Sequence, residues 1–213
     1  MRIQFRNDTE KIFTSITLMV LLTLIIVPTF GQNKKDSSAI DYSRPGPYHQ
    51  MLANLIGTWD FQGKFYSGNS NPDSNKVLGT FSGTLLRKSL ADGRFFYVEL
   101  TGGKIQMPIQ DGKMKEAAAQ RIEIEGFDNV KKKFVLTYIN NHIGSGIVLA
   151  EGRYDSTAKT IFYEWEDEQV PGKKFRVRER FVILDNNHYK MEYYREQDGK
   201  VFKATEINYT RTN

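Results

Sequence analysis

The 213-residue sequence contains no cysteine. That excludes a disulfide scaffold, thiolate metal sites, a cysteine nucleophile and a cysteine-linked lipid anchor. Histidine is nearly as scarce, with only His49, His142 and His188. No two of them share a metal-ligand spacing, and no phosphate-binding glycine loop occurs, so neither a metal nor a cofactor is expected. Proline is held to six residues and tryptophan to two. What is plentiful is apolar and aromatic: 39% of residues are hydrophobic and 13% aromatic. The first value is too high for a disordered chain, and the second favours strands. The formal charge of +5 is mild, with 30 basic residues set against 25 acidic ones. A nucleic-acid surface would need aromatics on a basic face, and none is apparent, so no nucleic-acid partner is expected.

Residues 1–31 differ from the rest. Arg2, Arg6 and Lys11 precede the apolar run Ile16 to Val27, Pro28 breaks it, and Thr29-Phe-Gly31 supplies small residues at a cleavage position. This is the pattern of a secretory signal peptide. A retained anchor is the alternative, but a spanning helix needs about 20 apolar residues, and the uninterrupted run is 12. Cleavage after Gly31 predicts an exported protein, periplasmic or secreted, of 182 residues and charge +4, with no stable membrane anchor. Residues 32–46 are polar and turn-rich and read as a flexible linker.

From Pro47 the spacing of Met51, Leu52, Leu55 and Ile56 gives one apolar helical face, ended by Gly57. It is the only helix the mature chain suggests. Ten alternating segments follow, at about 58–66, 77–90, 94–103, 120–127, 133–140, 146–154, 160–168, 174–184, 188–197 and 201–211. Turn residues separate them, among them Ala91-Asp-Gly93, Pro171-Gly172, Asp185-Asn-Asn187 and Asp198-Gly199. Residues 104–119, with Met107-Pro108 and Ala117-Ala-Ala119, read as a long connection or lid. The pattern predicts one all-β domain over 47–213, an antiparallel meander of about ten strands that closes into a barrel and so removes its edges.

Strand parity assigns an interior. A two-residue turn at Asp198-Gly199 pairs Gln197 with Lys200 and sets Arg195 opposite Phe202, Tyr193 opposite Ala204 and Met191 opposite Glu206. An odd loop at 185–187 sets Phe181 opposite Met191, Glu179 opposite Tyr193 and Val177 opposite Arg195. Phe61, Phe65, Phe81, Phe96, Ile122, Ile124, Phe134, Leu136, Tyr138, Tyr163 and Trp165 are expected inside with them. The outward stripe Arg176, Arg178, Arg180 faces Glu192 and Glu196. The interior is thus apolar with Glu179, Tyr193, Arg195 and Glu206 embedded, and isolated charges there must pair or meet a ligand. Two readings follow: a cavity with convergent polar groups, or a salt-bridged plug of Arg195 with Glu179 or Glu206. His142, in Asn140-Asn-His-Ile-Gly-Ser-Gly146, falls at a barrel rim. Ser145 lacks the strand-to-helix turn of a nucleophile elbow, and Glu164-Trp-Glu166-Asp-Glu168 is most simply a solvated strand edge.

The run from His49 through Gly57-Thr-Trp59-Asp60, a helix leading into Gly-x-Trp on the first strand, resembles the opening of lipocalin-like (calycin) barrels. More specifically, the chain resembles the domain of unknown function 1579 family. Asp92-Gly-Arg-Phe95, Gly126-Phe-Asp-Asn129, Glu151-Gly-Arg-Tyr-Asp155, Gly199 through Lys203 and Tyr209-Thr-Arg211 carry the likeness over about 47–212. It departs at Tyr138-Ile-Asn140-Asn-His142. The resemblance implies a lipocalin-like barrel of no established activity, with His49, Gly57, Trp59 and Arg211 structural and Arg211 against the Trp59 ring. The leading expectation is a binder of a small apolar or amphipathic ligand, held by Tyr138, His142, Tyr163, Trp165, Glu179, Tyr193, Arg195 and Glu206. The alternatives are a hydrolase- or isomerase-type enzyme with Glu179 or Glu206 as base, and a structural or envelope-interaction barrel.

Overall fold

The computed structural model describes residues 38–67, 76–108, 113–142, 146–197 and 199–212; the leader predicted at 1–31 lies outside them. Two short helices come first, α1 (Ala39–Ser43) and α2 (Pro47–Ala53). Ten strands follow: β1 (Gly57–Tyr66), β2 (Val77–Leu90), β3 (Phe95–Pro108), β4 (Met114–Asp128), β5 (Lys133–Asn140), β6 (Val148–Asp155), β7 (Thr160–Val170), β8 (Lys173–Ile183), β9 (His188–Gln197) and β10 (Lys200–Arg211). Each strand pairs antiparallel with the next, and β1 pairs with β10, so the sheet closes into an up-and-down barrel. Among the described residues no helix is long and apolar enough to cross a membrane.

One end of the barrel is filled. Trp59, Phe61, Phe96, Phe134, Ile161, Tyr163, Phe181, Tyr189 and Tyr209 are buried there with Leu52 and Leu55 of the helical segment. His49 is buried, and its Nδ1 accepts the Gly46 N–H at 3.0 Å, tying down the start of α2. The Trp59 indole N–H donates to the Leu55 carbonyl at 2.9 Å. Arg211 lies with its guanidinium carbon 4.3 Å from the Trp59 ring centroid and donates to the carbonyls of Asn54, Ile56 and Asn186.

Several expectations need correction. Part of the predicted linker is tied in place: α1 falls within residues 32–46, and the Asn129 amide donates to the carbonyls of Tyr42 and Arg44 at 2.8 Å. The connection read at 104–119 is mostly paired strand, with Pro108 opposite Met114 and Gln106 opposite Glu116. Beyond Thr84 and Thr101 the two strands β2 and β3 part, and the far ends of β3 and β4 pair with each other. A bulge between Gly102 and Lys104, with Gly103 at φ +70°, turns this ribbon over the open end.

Ile122 and Ile124 point outward, not inward. The β4–β5 turn holds four residues between Asp128 and Lys133, so Phe127 meets Phe134, Glu125 meets Leu136 and Glu123 meets Tyr138. Inward Phe134, Leu136 and Tyr138 therefore oblige Arg121, Glu123 and Glu125 to face the interior. Outside, Ile122 and Ile139 form an exposed cross-strand pair. Glu206 is also outside. The pairing of β9 with β10 follows the expected register through Arg195 and Phe202, then shifts between Lys203 and Thr205. From there Thr205 meets Tyr193 and Ile207 meets Met191, and Glu206 turns out to Lys203 at 2.7 Å. The β8–β9 register is as expected, Phe181 with Met191, Glu179 with Tyr193 and Val177 with Arg195. Arg178 pairs with Glu196 at 2.7 Å and Arg180 with Glu192 at 3.1 Å on the outer face.

Close strand contact at the β2–β3 parting depends on Gly83. A Cβ there would sit 2.4 Å from the Thr101 carbonyl oxygen and 2.7 Å from the Gly102 Cα, backbone that cannot swing aside. Gly83→Ala is expected to cost about 1–3 kcal/mol by overpacking, read as a lower urea midpoint at unchanged m-value. An unchanged midpoint would show that β2 and β3 are not held this close.

Candidate functional site

Above the aromatic end the barrel is hollow. A cavity of about 1280 Å³ opens at the end where β1–β2, β3–β4, β5–β6, β7–β8 and β9–β10 are joined. Alternation along each strand supplies its apolar wall, including Phe65, Phe81, Leu85, Val98, Leu100, Ile105, Val148, Val177, Met191 and Ile207. Ile105 comes from the β3–β4 ribbon, so the segment read as a lid contributes to the wall as strand.

Five charged side chains lie inside at the level where packing gives way to cavity: Arg87, Arg121, Glu123, Glu125 and Glu179. Arg87 Nε is 2.7 Å from Glu125 Oε1, with both residues buried. Its guanidinium carbon also stands 5.5 Å from the Tyr189 ring and 5.7 Å from that of Phe181. Arg121 pairs with Glu123, donates to the Tyr193 hydroxyl at 2.9 Å, and lies 3.7 Å from the Tyr138 ring centroid. Tyr138 in turn meets Trp165 edge-on at 6.1 Å. Glu179 is 1% exposed and stands opposite Tyr193 in the register.

Burial therefore sets the electrostatics. It pushes the Glu179 carboxyl up to about 8, with Glu123 adding to the shift and the Arg121 guanidinium opposing it. Burial likewise pushes the Tyr138 hydroxyl up to about 12, against the pull of Arg121. Burial raises the Glu125 carboxyl as well, to about 7, against the pull of the Arg87 guanidinium. At the rim, burial and the nearby Arg195 lower the pKa of His142, whose backbone N–H donates to the Asn140 side chain at 2.8 Å.

Of the eight residues read from sequence, Tyr138, His142, Trp165, Tyr193 and Arg195 border the cavity. Tyr163 and Glu179 are buried but do not border it, and Glu206 is on the outer face. The salt-bridged plug is absent among the described residues: Arg195 lies 4.8 Å from the Phe175 ring centroid, and Glu206 is paired with Lys203. Sequence reasoning missed Arg87, Arg121, Glu123 and Glu125. The signal that finds the three on β4 is the four-residue turn after Asp128, which fixes β4 parity from that of β5, while Arg87 follows from alternation with Phe81 and Leu85 on β2. No group of three or more acidic or histidine side chains suited to a metal occurs among the described residues.

Fold and cavity together define a closed, ten-stranded antiparallel barrel, hollow at one end. The chain belongs to the family described as protein of unknown function DUF1579, whose model matches residues 44–211. No curated protein matches it. Solved structures similar to it include a redesigned β-barrel, at 10% identity over 76% of this chain and 94% of that one, with a TM-score of 0.33. An S-type phycobiliprotein lyase from Guillardia theta is 8% identical over 77% of this chain and 92% of its own, with a TM-score of 0.45. A DUF3598 protein of unknown function from Nostoc punctiforme is 7% identical over 79% of this chain and 100% of its own, at 0.24.

The raised carboxyl has a stability signature. A group whose folded pKa exceeds its unfolded value contributes most below the unfolded value, and the contribution is lost as pH rises toward the folded one. For Glu179 that window runs from the ordinary value of 4.5 up to about 8. The melting temperature of the wild type should fall across it more steeply than that of Glu179→Gln, which carries no ionisable group there. Parallel pH profiles for the two proteins would show that Glu179 is not held neutral.

Proposed function

We propose that the protein binds a small amphipathic molecule inside the barrel. The observation that carries this reading is the 1280 Å³ cavity with an apolar wall and an ordered polar cluster at its base. Ligand sites commonly occupy about 300–1,000 Å³ and combine apolar walls with a few fixed polar groups. Arg121 meets that description, since Glu123, Tyr138 and Tyr193 hold it in one position. Such pre-organisation lowers the ordering cost of binding.

The enzymatic alternative draws on the raised pKa of Glu179, the behaviour expected of a general base. Its weakness is access, because Glu179 does not border the cavity. Glu206 offers less still, as it lies outside and its pKa is lowered, chiefly by the Lys203 hydrogen bond.

A neutral solvatochromic dye such as Nile red tests the binding reading. Its fluorescence should rise and saturate at about one equivalent, as a single enclosed site requires. Ala119 borders the cavity, so Ala119→Trp should fill part of it and weaken the dye by at least about tenfold, 1.4 kcal/mol, with unchanged circular dichroism. Equal binding by the two proteins would place the dye elsewhere and remove the support.

Export belongs to the same proposal. The leader pattern at 1–31 supports release of a mature chain beginning at Gln32. Intact mass of the protein expressed with its own N-terminus should correspond to 182 residues; a full-length mass in the membrane fraction would mean a retained anchor.

A further inference from the structure

The wall of the barrel is not continuous around the cavity. β6 and β7 pair from Asp155 with Thr160 to Glu151 with Glu164, and their ladder stops there. Above that rung β6 continues beside β5 alone, through Val148 opposite Tyr138. β7 continues beside β8 alone as far as Val170.

The last rung gives the physical reason. Glu151 and Glu164 are like charges set directly opposite each other on the outer face, a pairing that destabilises a ladder. Each is drawn away from the other. Glu151 pairs with Lys131 and Lys133 at the start of β5, and Glu164 with Arg176 and Arg178 on β8. A continued ladder would set Ala150 opposite Trp165 and Leu149 opposite Glu166, and neither pair forms.

The gap reaches the cavity. Leu149, Glu166 and Glu168 are exposed residues of the outer face, yet they border the same cavity as the inward-facing Val148, Trp165 and Asp167. A space that passes between the two strands accounts for this. Trp165, edge-on to Tyr138, stands at the foot of the gap, so the opening descends to the level of Arg121. The outer lip on β6 is apolar, with Ile147 70% and Leu149 73% exposed. The parting of β2 from β3 is tighter, because Gly83 and Gly103 keep those segments in close contact up to Phe81 and Ser82.

Resting on the binding reading above, we infer that the ligand enters and leaves through this side window between β6 and β7. Ile147 and Leu149 receive its apolar part first, and Trp165 and Tyr138 line the inner end of the passage. The β3–β4 ribbon turns over the end of the barrel, and a route from the side does not require it to move.

The absence of cysteine lets the window be bridged selectively. In the double variant Leu149→Cys, Glu166→Cys, dithio-bismaleimidoethane joins the two thiols across the gap, and a reductant cleaves the link again. In stopped flow, Nile red should enter the bridged protein at least about tenfold more slowly than the unbridged one. Cleavage should restore the rate. The control is Ile122→Cys, Ile139→Cys, an exposed pair on an intact part of the wall. Bridged in the same way, it should keep its rate within about twofold. An unchanged rate in the bridged window variant, or equal slowing in both bridged proteins, overturns the window while leaving a ligand-binding barrel. Absence of saturable dye uptake by the wild type removes the binding reading and the window together.

Discussion

Everything in the interior depends on closure of the sheet between β1 and β10, and Arg211 is the residue that fastens the filled end of that seam. It stands opposite Trp59 in the register, covers the indole ring, and donates to carbonyls of the α2–β1 connection and the β8–β9 turn. Gly57 makes room for it: at φ +135° a Cβ would sit 2.8 Å from the guanidinium. One side chain thus joins the first strand, the last strand, the helical cap and a distant turn. Because the seam removes the sheet's only edges, every strand gains an unambiguous inside and outside. The positions of all the interior charges follow from that constraint.

Those charges would be a liability in most cores. Removing one partner of a buried ion pair costs about 3–5 kcal/mol, while replacing the whole pair with apolar groups is often neutral. Arg87–Glu125 and Arg121–Glu123 are therefore weak candidates for stabilisers of the fold. Their neighbours suggest a different role, since Tyr138, Tyr193, Phe181 and Tyr189 surround the guanidiniums with ring faces and a hydroxyl. The cluster is fixed in position and sits at the boundary between packed aromatics and open cavity. Its cost is most easily understood if something in the cavity uses the fixed polarity.

Much of this was legible in the sequence because turn chemistry and alternation agree. Pro171-Gly172 and Asp185-Asn-Asn187 gave the β7–β8–β9 pairing, and with it the meeting of Glu179 with Tyr193. The failures have local causes. In β4 the alternation of Ile122 and Ile124 with Glu123 and Glu125 looks like an apolar inner face, yet the four-residue turn reverses it. Hydrophobicity pointed one way and parity the other, and parity won because the closed sheet leaves no freedom. In β10 nothing about Ala204 announces a bulge, so the register carried forward from Asp198-Gly199 misplaced Glu206. Near 104–119, Gly102-Gly103 and Met107-Pro108 resemble loop residues, although they bend and end a ribbon.

The β4 reversal matters most for function, because it exchanges two isoleucines for an arginine and two glutamates at the cavity base. With the isoleucines inside, the interior charges would be Arg87, Glu179 and Arg195, with no carboxylate beside Arg87 from β4. With Arg121, Glu123 and Glu125 inside, the charged requirement of the interior is met locally, and Glu179 becomes the group in excess. An ionised Glu179 would add a further negative charge to a region of low dielectric. Burial disfavours that charge and holds the Glu179 carboxyl well above its ordinary range.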